Sequence, residues 1–138
     1  MIGKTLGHYR ILEKIGEGGM GQVFLTEDMS LHRKVALKFL SPVMQKDTNA
    51  RRRFLREARS VAALDHPYIC HINEVADSGG RVFIVMEYVD GQTLRAKIAQ
   101  GPVAVRDTLQ VGIEVAEALE AAHGKGFVHR DIKPENIM

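Results

Sequence analysis

Asp131, Lys133 and Asn136 lie within six residues of one another in the segment FVHRDIKPENIM, residues 127–138. A carboxylate there can take a proton, an ammonium group can meet a phosphate, and an amide carbonyl can bind a metal. That is the inventory phosphoryl transfer asks for. Taken alone, the same segment also reads as a solvated charged loop with an Asp–Lys pair two residues apart. A second constellation stands near the start, where residues 15–23 read IGEGGMGQV and contain G-x-G-x-x-G-x-V. Glycine turns are common, so the bare match is a weak signal. Two uses compete for it. In dinucleotide folds the glycines open a helix, and an acidic residue follows about 20 positions on. Here Val23-Phe24-Leu25-Thr26 continues as a strand and the downstream residue is Lys38. The loop therefore reads as a link between antiparallel strands whose bare backbone can lie over phosphates. No G-x-x-x-x-G-K-[ST] occurs in the chain, which excludes a P-loop.

Two further charges each need a partner. Lys38 is the one charge in the apolar run VALKFL, and Glu57 shares a helical face with Phe54, Ala58 and Val61. Each has a plain reading, a lysine stem reaching water from a strand edge and a glutamate paired with Arg53 or Arg56. A common cause is more economical. If the helix packs on the sheet, Lys38 and Glu57 supply each other's counter-charge, because a buried charge is costly unless paired.

The elements that must hold these residues follow from periodicity. Residues 9–39 read as β structure in short apolar runs, broken by the glycine cluster and closed by Ser41-Pro42. Residues 49–64 switch to a helical period and end at His66-Pro67. Two more strands are predicted over 69–75 and 82–89, then a short helix over 94–99. A longer helix over 105–123 carries the apolar stripe Leu109, Ile113, Ala116 and Leu119, with Gly124 as its carboxyl cap. The order, five strands with one inserted helix and then helices, is an α+β arrangement with a boundary near Asp90. The 138 residues suffice for one ordinary domain, and a net charge of +2 argues against a dedicated nucleic-acid binder. Arg51–Arg53, Arg56 and Arg59 read as a solvated helix face. The single cysteine, Cys70, permits no internal disulfide. His66 and His71 flank it without the fourth ligand zinc needs. The first residues lack the apolar core of a signal peptide, and no stretch is long and apolar enough to span a bilayer.

In order and spacing, the glycine loop, the VALK strand, the helix glutamate, the segment MEYVDGQTL and HRDIKPEN resemble the protein kinase superfamily over nearly the whole chain. Lys133 resembles the serine/threonine class, and the motifs look most like bacterial receptor-type kinases. The resemblance implies a protein kinase-like α+β fold across residues 9–138. Residues 9–89 would form an ATP-binding lobe with a five-stranded antiparallel sheet and one helix. Residues 90–138 would be the start of a catalytic lobe. ATP and Mg2+ are the implied cofactors, and a protein Ser/Thr hydroxyl is the implied substrate.

The resemblance also assigns roles. Asp131 would orient the substrate hydroxyl and accept its proton, Lys133 would meet the transferring phosphate, and Asn136 would hold magnesium. Gly16, Glu17, Gly18, Gly19, Met20, Gly21 and Gln22 would cover the phosphates, with Lys38 binding them and Glu57 holding Lys38. Ile15, Val23 and Ala36 would roof the adenine, with Met138 as its floor and Met86 at the back. The backbones of Glu87 and Val89 would bond the adenine edge. His129 and Val61 would join an apolar column, and Arg130 implies control by a phosphorylated activation loop. The sequence departs from the family pattern in ending before Asp-Phe-Gly, so it reads as an amino-terminal fragment, expected to be inactive alone. A nucleotide-binding pseudokinase and a non-catalytic interaction module, including kinase dimerisation, are the alternatives. The kinase portion is expected in the cytoplasm, compatible with a downstream membrane anchor.

Overall fold

The computed structural model describes residues 1–19 and 21–138, which form two compact units. The first comprises residues 1–63 and 71–88, the second residues 64–70 and 89–138.

The first unit is built on one antiparallel sheet. Its strands are β1 (Thr5–Leu6), β2 (Tyr9–Gly18), β3 (Gly21–Asp28), β4 (Arg33–Leu40), β5 (Ile72–Ser78) and β6 (Arg81–Glu87). They lie in the order β1-β2-β3-β4-β6-β5. The sheet has six strands rather than the expected five, because Thr5 and Leu6 pair with Arg10 and Tyr9. It is curled: the Tyr9 hydroxyl on β2 donates to a Glu74 carboxylate oxygen on β5 at 2.6 Å, although three strands separate them in the sheet. Burial, then the hydrogen bond to Glu74, raises the pKa of that hydroxyl, so Tyr9 stays a neutral donor. Inside the curl, alternate residues of each strand make one core of Tyr9, Ile11, Phe24, Val35, Leu37, Phe39, Phe83 and Val85. The Phe39 ring contacts Phe24 edge-on at 5.7 Å and Phe83 at 5.3 Å.

The opposite face is covered by helix α2 (Thr48–Ala62), where Phe54 and Ala58 pack on Leu40, Ile72, Val82 and Ile84. The Asp47 carboxylate accepts from the amides of Asn49 and Ala50 and so fixes where α2 begins. Arg51 ties the helix to β5 through Asp77 at 2.8 Å. A short helix not anticipated from the sequence, α1 (Pro42–Lys46), precedes it, with Ser41 capping Met44 and proline in the first turn. Gln45 on α1 reaches Val82. Its Nε2 donates to the Val82 carbonyl at 2.9 Å and its Oε1 accepts from the Val82 amide at 3.1 Å. A side-chain amide thus continues the pairing of β6 beyond Phe83, which faces Phe39 of β4.

The turn after β3 is organised by Asp28, which is 1% exposed. Its Oδ1 accepts from the Ser30 hydroxyl at 2.6 Å and from the amides of Ser30 and Leu31. His8 Nε2 and Arg33 Nε each lie 3.6 Å from the carboxylate. The Ser30 hydroxyl first, then the Leu31 and Ser30 amides and His8, outweigh burial and hold its pKa below the ordinary carboxylate value.

The second unit carries helices α3 (Leu94–Ala99) and α4 (Val105–Gly124) and a 3-10 turn at Pro134–Asn136. The Thr93 hydroxyl caps α3 by accepting from the Ala96 amide. Along α4 the expected stripe is largely bare: Leu109, Ile113 and Ala116 are exposed and Leu119 is half-buried. The expected cap at Gly124 is corrected by one turn geometry. Lys125 is the cap, and Gly126, at φ 78°, is the residue in the left-handed region. No helix among the described residues is long and apolar enough to cross a membrane.

Gly21 is the tightest of the glycines. A Cβ there would stand 1.7 Å from the Phe39 carbonyl oxygen and 2.8 Å from its carbon, with φ at 151°. Gly21→Ala is therefore expected to force β3 off β4 and to destabilise the chain by about 3 kcal/mol, near the upper end of ordinary overpacking costs. Urea unfolding measures it, and a loss within error of zero would mean the hairpin can shift without consequence.

Candidate active site

In the first unit the register of three strands builds one row of side chains. Val23 on β3 faces Lys38 on β4, which faces Ile84 on β6. The next row is Leu25, Ala36 and Met86. Because strand side chains alternate, Ala36 and Lys38 share the face of Leu40, the α2 side, whereas Val35, Leu37 and Phe39 fill the curl. Ala36 is buried, while Val23, Lys38 and Met86 are half-buried. Met86 packs against the core under α2.

The glycine hairpin projects from the same strands. Glu17 pairs with Gln22 and Gly18 with Gly21 across it. Two irregularities in β2, after Ile11 and after Lys14, shift the pairing of the strand on the way to the hairpin. Glu17 is gripped from two sides, by Lys14 Nζ at 2.5 Å and by Gln22 Nε2 at 3.0 Å. Lys14, and then Gln22, holds its carboxyl below the ordinary range. Sequence reasoning missed Lys14, because residues three apart in a regular strand point to opposite faces and only the irregularity after Lys14 changes that. Gly16 sits over Val23, where a Cβ would meet the Val23 side chain at 3.6 Å. Ile15 is 44% exposed. Met20, also expected in this loop, lies outside the described residues.

The expected Lys38–Glu57 pair is not closed. Glu57 is exposed on α2, with no ion pair to Lys38, Arg53 or Arg56, and no hydrogen bond or ion pair holds Lys38 among the described residues. The physical reason lies in the helix face. Ala50, Phe54 and Ala58 define the buried side of α2, and Glu57 falls on its flank rather than among them. Val61 is half-buried against the same core. At the end of β6 the Glu87 amide donates to the His71 carbonyl at 2.8 Å, and a Glu87 carboxylate oxygen accepts from the His71 amide at 3.2 Å.

In the second unit Val89 is half-buried and Met138 is 62% exposed. The catalytic-type loop is knit by its own polar groups. Asn136 Nδ2 donates to the Asp131 carbonyl oxygen at 2.9 Å and reaches Asp131 Oδ2 at 3.4 Å. Lys133 Nζ lies 3.1 Å from the same Oδ2. His129 Nδ1 accepts from the Asp131 amide at 3.1 Å, and Arg130 bends the chain with φ 66°. A non-glycine residue in that region is uncommon and marks a constrained turn. The Leu94 amide donates to the Ile137 carbonyl at 2.7 Å, anchoring the end of the loop to α3. The structure thus brings Asp131, Lys133 and Asn136 together. Lys133, first among several contacts, lowers the Asp131 pKa, so the carboxylate is ionised at neutral pH.

A sheet with a glycine hairpin, a lysine beside it, and an Asp/Lys/Asn loop after two helices defines a class of protein. The protein kinase domain profile matches residues 9–138, and the chain belongs to that family. It is 44% identical to the serine/threonine-protein kinase PrkC of Bacillus subtilis over 140 residues, covering 100% of this chain and 22% of that protein. It is 40% identical to PknD of Mycobacterium tuberculosis, covering 99% of this chain and 21% of PknD. Among solved structures, the PknI kinase domain of Mycobacterium tuberculosis superposes with a TM-score of 0.86 at 35% identity. That match covers 99% of this chain and 55% of the PknI chain. The chain therefore spans about a fifth of the length of these curated relatives.

Lys133→Met removes the ammonium group 3.1 Å from Asp131, so the Asp131 carboxyl is expected to titrate at higher pH. Carbon-detected NMR titration of the carboxyl reads this directly. An unmoved midpoint would mean that Asn136 and His129 alone hold the charge.

Proposed function

We propose that the chain carries the ATP-binding portion, residues 9–89, and the catalytic loop of a serine/threonine protein kinase that transfers the γ-phosphate of ATP to protein Ser or Thr hydroxyls. The observation that supports this best is a contrast among glycines. Gly21 is demanded by the sheet, but a Cβ on Gly18 or Gly19 would meet no atom within 4 Å, and neither has a positive φ. Among the described residues nothing in the packing or backbone requires glycine at these two positions. A ligand lying against the backbone would require it, and phosphates suit such bare N–H groups.

The remaining residues fit that ligand. Lys38 is a half-buried cation with no ion pair among the described residues, one strand from the hairpin, suited to the α and β phosphates. Within the first unit Ile15, Val23, Ala36 and Met86 offer apolar surface for adenine, and the backbone of Glu87 offers a polar edge. Asn136 spends its Nδ2 on Asp131, which leaves its carbonyl oxygen as a hard donor suited to Mg2+. Bound ATP supplies the transferable phosphoryl group and Mg2+ offsets its charge. Asp131 orients the substrate hydroxyl and takes its proton as the oxygen attacks, and Lys133 stands beside it to meet the negative charge of the phosphoryl oxygens. Glu57 serves when it reaches Lys38. The compartment in this reading is the cytoplasm, where ATP is available.

A second reading, an interaction module or a dimerising kinase part, is favoured by one observation: Val105, Leu109 and Ile113 on α4 are 76%, 62% and 54% exposed.

Titration with a fluorescent ATP analogue tests the nucleotide assignment. Gly18→Ala is expected to leave the unfolding midpoint unchanged and to weaken binding about tenfold, the equivalent of roughly 1.4 kcal/mol. Unchanged affinity in that variant, or in Lys38→Met, would sink it. No Asp-Phe-Gly, the segment that carries the other magnesium ligand, occurs in the 138 residues. The purified chain is therefore expected to phosphorylate no peptide, and activity abolished by Asp131→Asn would refute this.

A further inference from the structure

Helix α2 reads TNARRRFLREARSVA, with five arginines and no lysine. Arg51 is committed to Asp77. Arg52, Arg53, Arg56 and Arg59 are exposed, and no guanidinium among these four makes an ion pair or hydrogen bond among the described residues. At about 100° per residue, Arg52, Arg56 and Arg59 fall within about 60° of one another. They lie opposite the buried Ala50, Phe54 and Ala58.

Fold stability does not account for this row. Like charges four apart, as at Arg52 and Arg56, are destabilising by a few tenths of a kcal/mol. Arg59 in the last turn suits the helix dipole, but Arg52 and Arg56 lie in the body of α2, where the dipole gives them no support. A local rule broken without an internal gain marks a place where function sets the sequence.

We propose that Arg52, Arg56 and Arg59 form a docking surface for a phosphorylated, acidic segment of a protein substrate. The proposal rests on the kinase reading above, because that activity makes protein-borne phosphate the anion the chain meets. Guanidinium forks match phosphate and carboxylate oxygens two at a time, which lysine cannot do, and the row is all arginine. The spacing selects an extended segment. Arg52 and Arg56 are separated by about 6 Å along the axis at about 1.5 Å per residue. Two residues of extended chain span about 6.6 Å. A phosphoresidue with an acidic residue two positions away thus sets its anions in step with the pair. Other polyanions fit less well. The row holds no aromatic side chain on which a base could stack, and the apolar face of α2 is buried on the sheet, so nothing remains to enter a lipid surface.

The test is fluorescence anisotropy of a labelled peptide bearing phosphothreonine with glutamate two residues on, titrated with the chain in the absence of nucleotide. The phosphopeptide is expected to bind at least about tenfold more tightly than its unphosphorylated form, as charge-assisted fork pairing implies. The R52Q/R56Q/R59Q variant should lose that advantage, and R52K/R56K/R59K should lose most of it while keeping the charge. Circular dichroism confirms that α2 persists in both. Equal binding by the Gln variant overturns the proposal, as does a Lys variant that binds like the parent. Equally tight, arginine-dependent binding to phosphatidylglycerol vesicles or to a single-stranded oligonucleotide also overturns it, since charge alone would then be recognised. The assay contains no ATP, so a negative result leaves the nucleotide titration standing, and failure of that titration leaves peptide binding measurable.

Discussion

A backbone approach too close for a methyl group governs the first unit. Gly21 lies against the Phe39 carbonyl, which locks β3 to β4 in a single register. That register sets Val23 opposite Lys38 and Leu25 opposite Ala36. A slip of one residue would turn Lys38 into the curl and expel Leu37 and Phe39 to the other face. The identity of the lysine beside the glycine hairpin is thus a consequence of a glycine seventeen positions earlier in the chain. The same hairpin has a polar lock at its tip, Glu17 between Lys14 and Gln22, so its base is fixed by sterics and its tip by charge.

Much of this was legible in the sequence. Strand alternation and the glycine cluster marked the sheet, and helix α3 fell on the predicted residues. The grouping of Asp131, Lys133 and Asn136 followed from their nearness in the chain. Other features were hidden for identifiable reasons. Helix α1 is five residues long, below the length at which periodicity speaks. Strand β1 is two residues long and depends on Tyr9 and Arg10 for its existence. The cap of α4 was misplaced because two glycines stand two residues apart, and only φ separates Gly126 from Gly124. Long-range pairings such as Tyr9 with Glu74 have no local signal at all, since they depend on how far the sheet curls.

Lys38 and Glu57 show where a one-dimensional argument stops. Helical periodicity put Glu57 on the side of Phe54 and Ala58, and it does lie toward that side. Its flank position leaves the carboxylate in water, and water solvates it well enough that no partner is compulsory. The pair therefore stands open in this structure.

The Gln45 amide gives the sheet a chemical weakness of a different kind. One side chain both donates to and accepts from Val82, and so ends β6 with a nitrogen facing the carbonyl. Spontaneous deamidation exchanges that single nitrogen for oxygen. The result at neutral pH is a carboxylate facing a carbonyl oxygen, so attraction becomes repulsion with no change in shape. Slow chemical ageing of one amide would then loosen α1, and with it the start of the connection into α2, while the strands beneath keep their pairing.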